Sequence, residues 1–408
     1  MIDAQKVIVV TAIGIVSPYG VGMEALHAGL LSGEHRLSPA KDLYPGFEGT
    51  TAPVAALPDF PGNSDHRYSR SDRLAMVAAQ DAISGLDRNQ TAFRESGVLI
   101  ASTVGGLSDI DSAIALDPAA WYRQGNLARA RSYSAARVAA SVGEHLDIHG
   151  PICAVPVACA SGAMAIALGA NMLLDGAAPM VLAGGTDGLC PFTVSGFNSL
   201  QSLDREPCRP FDKNRKGLNL GEGAAVLVLE TLASAKARGA EVLAVLRGWS
   251  MGNDASHPTA PHKHGLGLAH CIKVAMEMAG AGVDDIAYVN AHGTGTPLND
   301  ISEATAYENA FRDRTHPVPV SSTKSYFGHC LGAAGSIEAA ITIATIRSGL
   351  ILPTLRLADP IESTTVDWVR GEVRNQPVPA AMSVSVGFGG SNTVLVFGNS
   401  ESTGGSHA

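Results

Sequence analysis

Positive charge is scarce in this chain of 408 residues: 29 lysines and arginines stand against 38 aspartates and glutamates, a formal net charge of −9. That balance gives a general nucleic-acid binder no support, and an acidic partner would have to dock on a local basic patch. Cysteine is sparse and irregularly spaced, at Cys153, Cys159, Cys190, Cys208, Cys271 and Cys330. No C-x-x-C pair occurs, so neither a zinc knuckle nor a disulfide framework is indicated. A reducing, cytoplasmic setting is the simpler expectation. Long apolar runs are lacking too. The opening KVIVVTAIGIV is short, has no basic leader and runs into Ser17-Pro18-Tyr19-Gly20, which reads as a core strand and turn, not a signal peptide. No segment reads as a membrane span.

What the chain does have is 46% hydrophobic residues, 16% charged residues and 45 glycines, a composition suited to closely packed helices and sheets. Apolar runs at 97–103, 179–185, 224–230 and 286–292 predict buried strands. Helices are predicted over 71–84, 135–146, 161–174, 266–279 and 335–348. Their alternation argues an α/β architecture. The order of elements also repeats: strand, loop with a reactive residue, small-residue helix, Gly-rich strand end. That weak internal duplication divides the chain at the charged segment ASAKARGAEV, into residues 1–238 and 239–408, and would bring loops of both halves to one crevice.

Candidate chemistry sits in those loops. Cys159, in VPVACASGAMAIALGANMLL, lies where Val155–Val157 read as the end of a strand and a helix begins. Unpaired N–H groups and the positive dipole end would lower a thiol's pKa there. The plain alternative is a small buried residue. His292 opens the loop AHGTGTP after a strand, and His329 lies in STKSYFGHCLGAAG ahead of a small-residue helix; both positions suit catalytic groups at a sheet edge. His27, His35, His66, His145, His149 and His316 read as surface or packing residues. His257, His262 and His264 lie in a Pro-rich loop without an obvious carboxylate, and read as solvated loop before metal site.

Taken together, ACASG at 158–162, PCRPFDKNRKGLNLGEGAAVLVLE at 207–230, NAHGTGTPLND at 290–300, SSTKSYFGHCLGAAG at 321–335 and SVGFGGSN at 385–392 resemble the β-ketoacyl-acyl-carrier-protein synthases. These are decarboxylating condensing enzymes of the thiolase-fold superfamily, and the elongating type II subgroup is the best match. The resemblance implies two pseudo-duplicated αβαβα halves in a layered α-β-α-β-α core. It implies that Cys159 holds the acyl chain as a thioester, and that backbone N–H groups of Cys159 and Phe388 form the oxyanion hole. Gly387, Gly389 and Gly390 would let that backbone approach and let Phe388 act as a gate. His292 and His329 would stabilise the enolate left when malonyl-carrier protein loses carbon dioxide. Lys324 would set the electrostatics and orientation around His329, and Glu338 would support the site. Thr294 and Thr296 would contact the pantetheine arm, while Asp300 and Asn392 would hold loops. No metal or redox cofactor is implied; phosphopantetheine arrives with the carrier protein. A homodimer through a sheet edge is expected, with a heterodimer containing a chain-length factor as the variant.

A thiolase proper would carry a second cysteine in its last glycine loop, here GFGGSN. An initiating Cys-His-Asn enzyme would have Asn at 329, and a chain-length factor would have lost the nucleophile. Val157, Tyr326 and Phe327 depart from the commonest elongating pattern. The short stretch GGLSDIDSAIALDPAAWYRQGN carries Asp109, Asp111 and Asp117 where an acyl pocket is expected, which opens a second reading, a polyketide or aryl polyene ketosynthase. Cys330, beside His329, is the thiol to watch for accidental alkylation, and the other cysteines read as packing residues. Docking of an acidic carrier protein would use Arg67, Arg70, Arg129, Arg131 and Arg205. Reversing Arg129 and Arg131 to Glu should raise the KM for carrier protein while sparing alkylation of Cys159; an unchanged KM would remove them from the docking surface.

Overall fold

The computed structural model describes residues 3–40, 47, 50–57, 59–61, 67–107 and 133–400. Arg129 and Arg131, like Asp109, Asp111 and Asp117, lie outside the described residues. At its centre is one mixed sheet of twelve strands. Eleven follow a single path: β1 Ile8–Ser17, β2 Gly97–Ala101, β3 Ile152–Cys153, β4 Met180–Asp187, β5 Gly223–Thr231, β6 Ala244–Asn253, β7 Tyr288–Asn290, β8 Val318–Ser321, β9 Val366–Trp368, β10 Ala380–Gly387 and β11 Ser391–Gly398. Their spatial order is β9-β8-β7-β10-β11-β6-β1-β5-β4-β2-β3, and the short Gly20–Val21 strand hairpins onto β1.

Outward from the antiparallel β6–β1 junction, the two sides are copies. On one side β1-β5-β4 pair antiparallel, then β4-β2-β3 pair parallel. On the other, β6-β11-β10 pair antiparallel and β10-β7-β8 parallel. The duplication read from element order is therefore present in the topology. The strands are buried on both faces, as near-continuous apolar runs require: all eight residues of β4 are buried, and all of β5 except its last.

Two helices, α3 Ser161–Leu174 and α7 Ala334–Ser348, lie side by side and touch strands of both halves. The outer face of the first half is covered by α1 Arg70–Ala82 and α2 Arg137–Leu146, and that of the second by α4 Leu266–Ala279 and α5 Pro297–Ala310. This gives the expected helix-sheet-helix-sheet-helix layering. α7 has no polar face to turn to water: twelve of its fifteen residues are buried. α3 meets it through small residues such as Gly162 and Ala163, and Gly335 could not gain a Cβ without coming within 2.8 Å of Ala163. Among the described residues no helix is long and apolar enough to cross a membrane.

The first turn of α1 carries one correction. Ser69 and Asp72 form a capping box there, and Arg70 turns inward. Its guanidinium donates to both carboxylate oxygens of Glu222, at 2.7 and 2.6 Å, and to the Leu57 carbonyl at 2.6 Å. Arg70 is 8% exposed and Glu222 fully buried, so Arg70 is not part of a docking surface. Sequence position alone could not reveal the inward turn, which depends on the partner carboxylate 152 residues away. Arg70→Met takes the counter-charge away from the buried Glu222 carboxylate, which then keeps only neutral donors such as the Leu57 and Leu189 N–H groups, and should destabilise the fold by about 3–5 kcal/mol in denaturant titration. A loss under about 1 kcal/mol would show that water or another donor replaces the arginine.

Candidate active site

The nucleophile loop begins at the exposed edge strand β3. Val155–Val157 do not continue that strand. The Val157 N–H instead donates to Ser161 Oγ at 2.9 Å, and Ser161 Oγ donates to the Ala158 carbonyl at 2.5 Å. Between them Ala158 adopts a left-handed φ of 51°. That conformation costs a residue with a Cβ about 1–3 kcal/mol, and it delivers Cys159 to the bottom of a cleft just before α3. Gly387, at the end of β10, passes so close that a Cβ there would lie 3.0 Å from the Val157 carbonyl and 3.2 Å from the Cys159 nitrogen. This close approach lets the Phe388 N–H donate to the Cys159 sulfur. The expected depression of the thiol is not what the surroundings produce. Burial pushes Cys159 up to about 12, against the pull of Lys324 and of the Phe388 N–H. At neutral pH that burial favours the thiol over the thiolate.

His292 follows β7 and is anchored through its backbone. Glu303, on α5, accepts the N–H groups of His292 and Gly293, both at 2.7 Å, and the Tyr307 hydroxyl at 2.6 Å. His329 is reached differently. The one-turn helix α6 Lys324–Phe327 ends at Gly328, with φ 73°, and the His329 N–H donates to the Asn219 carbonyl at 2.7 Å. The two imidazoles meet edge to face, with centroids 5.2 Å apart and planes at 86°.

Behind them lies a buried ion pair. Lys324 Nζ donates to the His292 carbonyl at 2.6 Å and to Glu338 Oε1, and stands 3.3 Å from His292 Nδ1. Lys324 and Glu338 are each 1% exposed. An ammonium facing Nδ1 requires a lone pair there, so the His292 proton resides on Nε2. Neither ring nitrogen of His329 has a protein partner among the described residues. Burial, reinforced by the Lys324 charge, holds both imidazoles well below the ordinary histidine value; each ring is neutral and able to donate. Burial pushes Glu338 up to about 7 in spite of Lys324, and Glu303 rises to about 7 for the same reason.

These groups share a cleft of about 460 Å³ lined by Cys159, His292, His329, Thr294, Thr296 and Phe388, among others. The hydroxyls of Thr294 and Thr296 are 2.9 Å apart along it. The Phe388 ring packs on Phe197 at 5.4 Å between centroids with planes tilted by 32°, so the expected gate leans on an aromatic from the other half. Gly389 and Gly390 adopt φ of 80° and 78°. Their loop is tied to the 253–258 segment: the Gly389 N–H donates to the Pro258 carbonyl, the Asp254 N–H to the Gly390 carbonyl and Asn392 Nδ2 to Asp254, each at 2.8 Å. Asp300 accepts from the N–H groups of Phe211 and Gly295, which makes it a brace between loops.

The family model described as Beta-ketoacyl synthase, N-terminal domain, matches residues 5–235, and the C-terminal domain model matches residues 243–358. The chain belongs to the β-ketoacyl synthase family. It is thereby a condensing enzyme of the acyltransferase class. It is 34% identical to 3-oxoacyl-[acyl-carrier-protein] synthase 2 of Synechocystis sp. over 414 residues, covering 96% of this chain and 98% of that one. It is 33% identical to the tetracenomycin polyketide synthase ketoacyl synthase alpha subunit of Streptomyces glaucescens, covering 98% and 99%. Among solved structures, the ishigamide ketosynthase/chain length factor superposes with a TM-score of 0.89 at 31% identity, covering 96% of this chain and 99% of that one.

Several residues of this synthase site were not anticipated. Glu303 has a signal, lying at helical spacing from Asn299 and Tyr307, both of which it bonds. Asp187 ends β4 and gathers Ser102 Oγ (2.5 Å) and the N–H groups of Val104 (2.8 Å) and Gly332 (2.7 Å), linking the first half to the loop after His329. Phe197 and Asp254 had no sequence signal. Of the described docking arginines, Arg67 and Arg205 are exposed. Cys330 is fully buried with its thiol on the Glu222 carbonyl, whereas Cys153 is exposed on β3, so the alkylation concern moves to Cys153. Among the described residues no group of three or more His, Cys, Asp or Glu is placed to hold a metal, and His257 instead accepts two turn N–H groups on Nδ1.

A histidine whose folded pKa is depressed costs stability as pH falls through its unfolded value, near 6.5, because the unfolded chain takes up the proton first. Ring nitrogen NMR of selectively labelled protein should therefore show His292 and His329 neutral at pH 6.5 and below. Half-protonation of either ring at or above 6.5 would contradict the burial argument.

Proposed function

We propose that the site performs a decarboxylative Claisen condensation in two stages. The Cys159 sulfur attacks an acyl thioester borne by a carrier protein. The tetrahedral oxyanion is received by the N–H groups of Cys159 and Phe388, and the pantetheine thiol leaves with the proton given up by Cys159. Malonyl thioester then occupies the cleft. Its C–CO₂ bond breaks, carbon dioxide departs, and the electron pair becomes an enolate whose oxygen accepts from the neutral imidazoles of His292 and His329. The enolate carbon attacks acyl-Cys159, a carbon–carbon bond forms, the C–S bond breaks, and the Cys159 thiolate so released takes one proton from solvent water as the 3-ketoacyl thioester departs. Neither a metal nor a redox group has a part in these steps.

The observation that carries this reading is the convergence, in one cleft, of a buried thiol, two neutral imidazoles and a backbone N–H already aimed at the sulfur. Lys324 adds its charge to the burial that keeps both rings neutral, and fixes the His292 tautomer. Thr294 and Thr296 lie where the pantetheine arm would enter. An acyl carrier protein is the natural partner, with Arg67 and Arg205 as the remaining described docking candidates. The exposed edge strand β3 offers a pairing surface for a second subunit, either a copy of this chain or a chain-length factor. The likeness to a polyketide ketosynthase subunit and to a ketosynthase/chain length factor favours the second arrangement as an alternative.

Intact-protein mass spectrometry tests the assignment. Wild type incubated with acyl-carrier proteins should gain one acyl group that malonyl-carrier protein discharges, and Cys159→Ala should gain none. His329→Ala should still acylate but discharge about 10²–10³-fold more slowly. Equal adducts on wild type and Cys159→Ala would refute the nucleophile.

A further inference from the structure

The one-turn helix α6 poses a structural problem. Its first residue is Lys324, and the chain must turn sharply within five residues to place His329. In a continuing helix the His329 N–H would bond the Ser325 carbonyl. Here that N–H is diverted to the Asn219 carbonyl, which leaves the Ser325 carbonyl as a helix-end orphan in a buried setting. Arg356 supplies the missing donor. Its Nη2 donates to the Ser325 carbonyl, and its Nε and Nη2 donate to the Cys208 carbonyl at 3.0 and 2.9 Å.

Both carbonyls belong to segments that hold the catalytic groups. Cys208 donates its N–H to the Asn219 side chain at 2.7 Å, so the residue that receives the His329 N–H is itself seated against the Arg356 clamp. The Cys208 thiol faces the Lys324 carbonyl at 3.6 Å. The neighbouring Leu355 N–H donates to Ser325 Oγ at 2.9 Å, and Thr354 Oγ1 accepts the Ser322 N–H at 2.9 Å. Arg356 also pays a backbone penalty, since its φ is 63°, a conformation that glycine or asparagine adopts far more readily. A long cation at such a position is explained by its reach, not by its backbone.

We infer that Arg356 is a positioning residue of the condensation step: by capping α6 and clamping it to the 208–219 segment, it fixes the placement of His329 and Lys324. The inference rests on the functional reading above. Arg356 does not line the cleft, and it lies outside the residues that hold Cys159. Its loss should therefore affect the second half-reaction and spare the first.

The test compares wild type with Arg356→Met, which keeps the stem and removes the donors, and with Arg356→Lys. Formation of acyl-Cys159 should stay within about twofold, whereas its discharge by malonyl-pantetheine should slow about 10- to 100-fold at unchanged KM, the scale of an ångström-sized misplacement. Arg356→Lys should recover part of the loss. A discharge rate equal to wild type, or an equal fall in both half-reactions, would overturn the inference. If Arg356→Met does not fold, Arg356→Gln is read by the same two rates. The His329 ring NMR signals supply a readout without turnover: they should shift in the variant, and signals superimposable on wild type would overturn the inference even if no acyl adduct forms on any protein. Absence of the adduct on wild type would instead refute the functional reading.

Discussion

A single ammonium buried behind two imidazoles constrains the whole site. Lys324 touches the backbone and the ring of one histidine, biases the charge state of both, and is neutralised by Glu338 from the central helix α7. A pair so placed is an expensive way to stabilise a fold, because desolvating two charges consumes most of their attraction. Its value is electrostatic preorganisation: the charge is in place before the substrate arrives and does not reorient during reaction. Much of the surrounding architecture serves to keep that charge dry and stationary. Glu303, Tyr307 and Asn290 close around the same strand end, and α7 is buried along almost its whole length.

The duplicated topology explains why such a site can be assembled at all. Each half ends its parallel strands at the same side of the molecule, and the halves are joined at β1–β6, so equivalent loops arrive at one crevice. The copies then diverge in what they deliver. One contributes a thiol on a strained turn before α3; the other contributes histidines, one on the loop after β7 and one ahead of α7. Asp187 and the tilted Phe197–Phe388 pair cross between them, so the alignment of thiol and imidazoles is held by contacts that belong to neither half alone.

Much of this was legible in the sequence, and the gaps have physical causes. Buried strands and the small-residue helices announced themselves because their periodicity reflects burial on both faces; the predicted 161–174 and 266–279 helices match α3 and α4 residue for residue. The helix α5 was not anticipated, since its start lies within the turn-rich HGTGTPLND and its charged and apolar residues are mixed around the axis. Val155–Val157 looked like a strand by composition, yet Ser161 captured the backbone N–H that a ladder would have needed. Cys159, His292 and His329 were singled out because they stood at element ends, and the resemblance of five ordered motifs gave them their expected roles. Their environment was not found: the direction of the Cys159 shift, the inward turn of Arg70 and the grip of Asp187 all depend on partners tens to hundreds of residues away.

The tight seams around the nucleophile also limit how such an enzyme can change its substrate. Beside Cys159, Gly387 has little room for a methyl group, which would lie 3.0 Å from the Val157 carbonyl, and a Cβ on Gly162 would approach the Gly332 carbonyl to 2.8 Å. The seam behind the thiol is thus closed by backbone, which point mutation cannot exchange. The cleft in front of it is lined by side chains such as Phe197, Leu218 and Leu200, the first two packed in one cluster with Cys159. A change in the chain length or shape that this site accepts must therefore be written in those side chains, because the glycine seam behind the sulfur leaves nothing to trim and little space to fill.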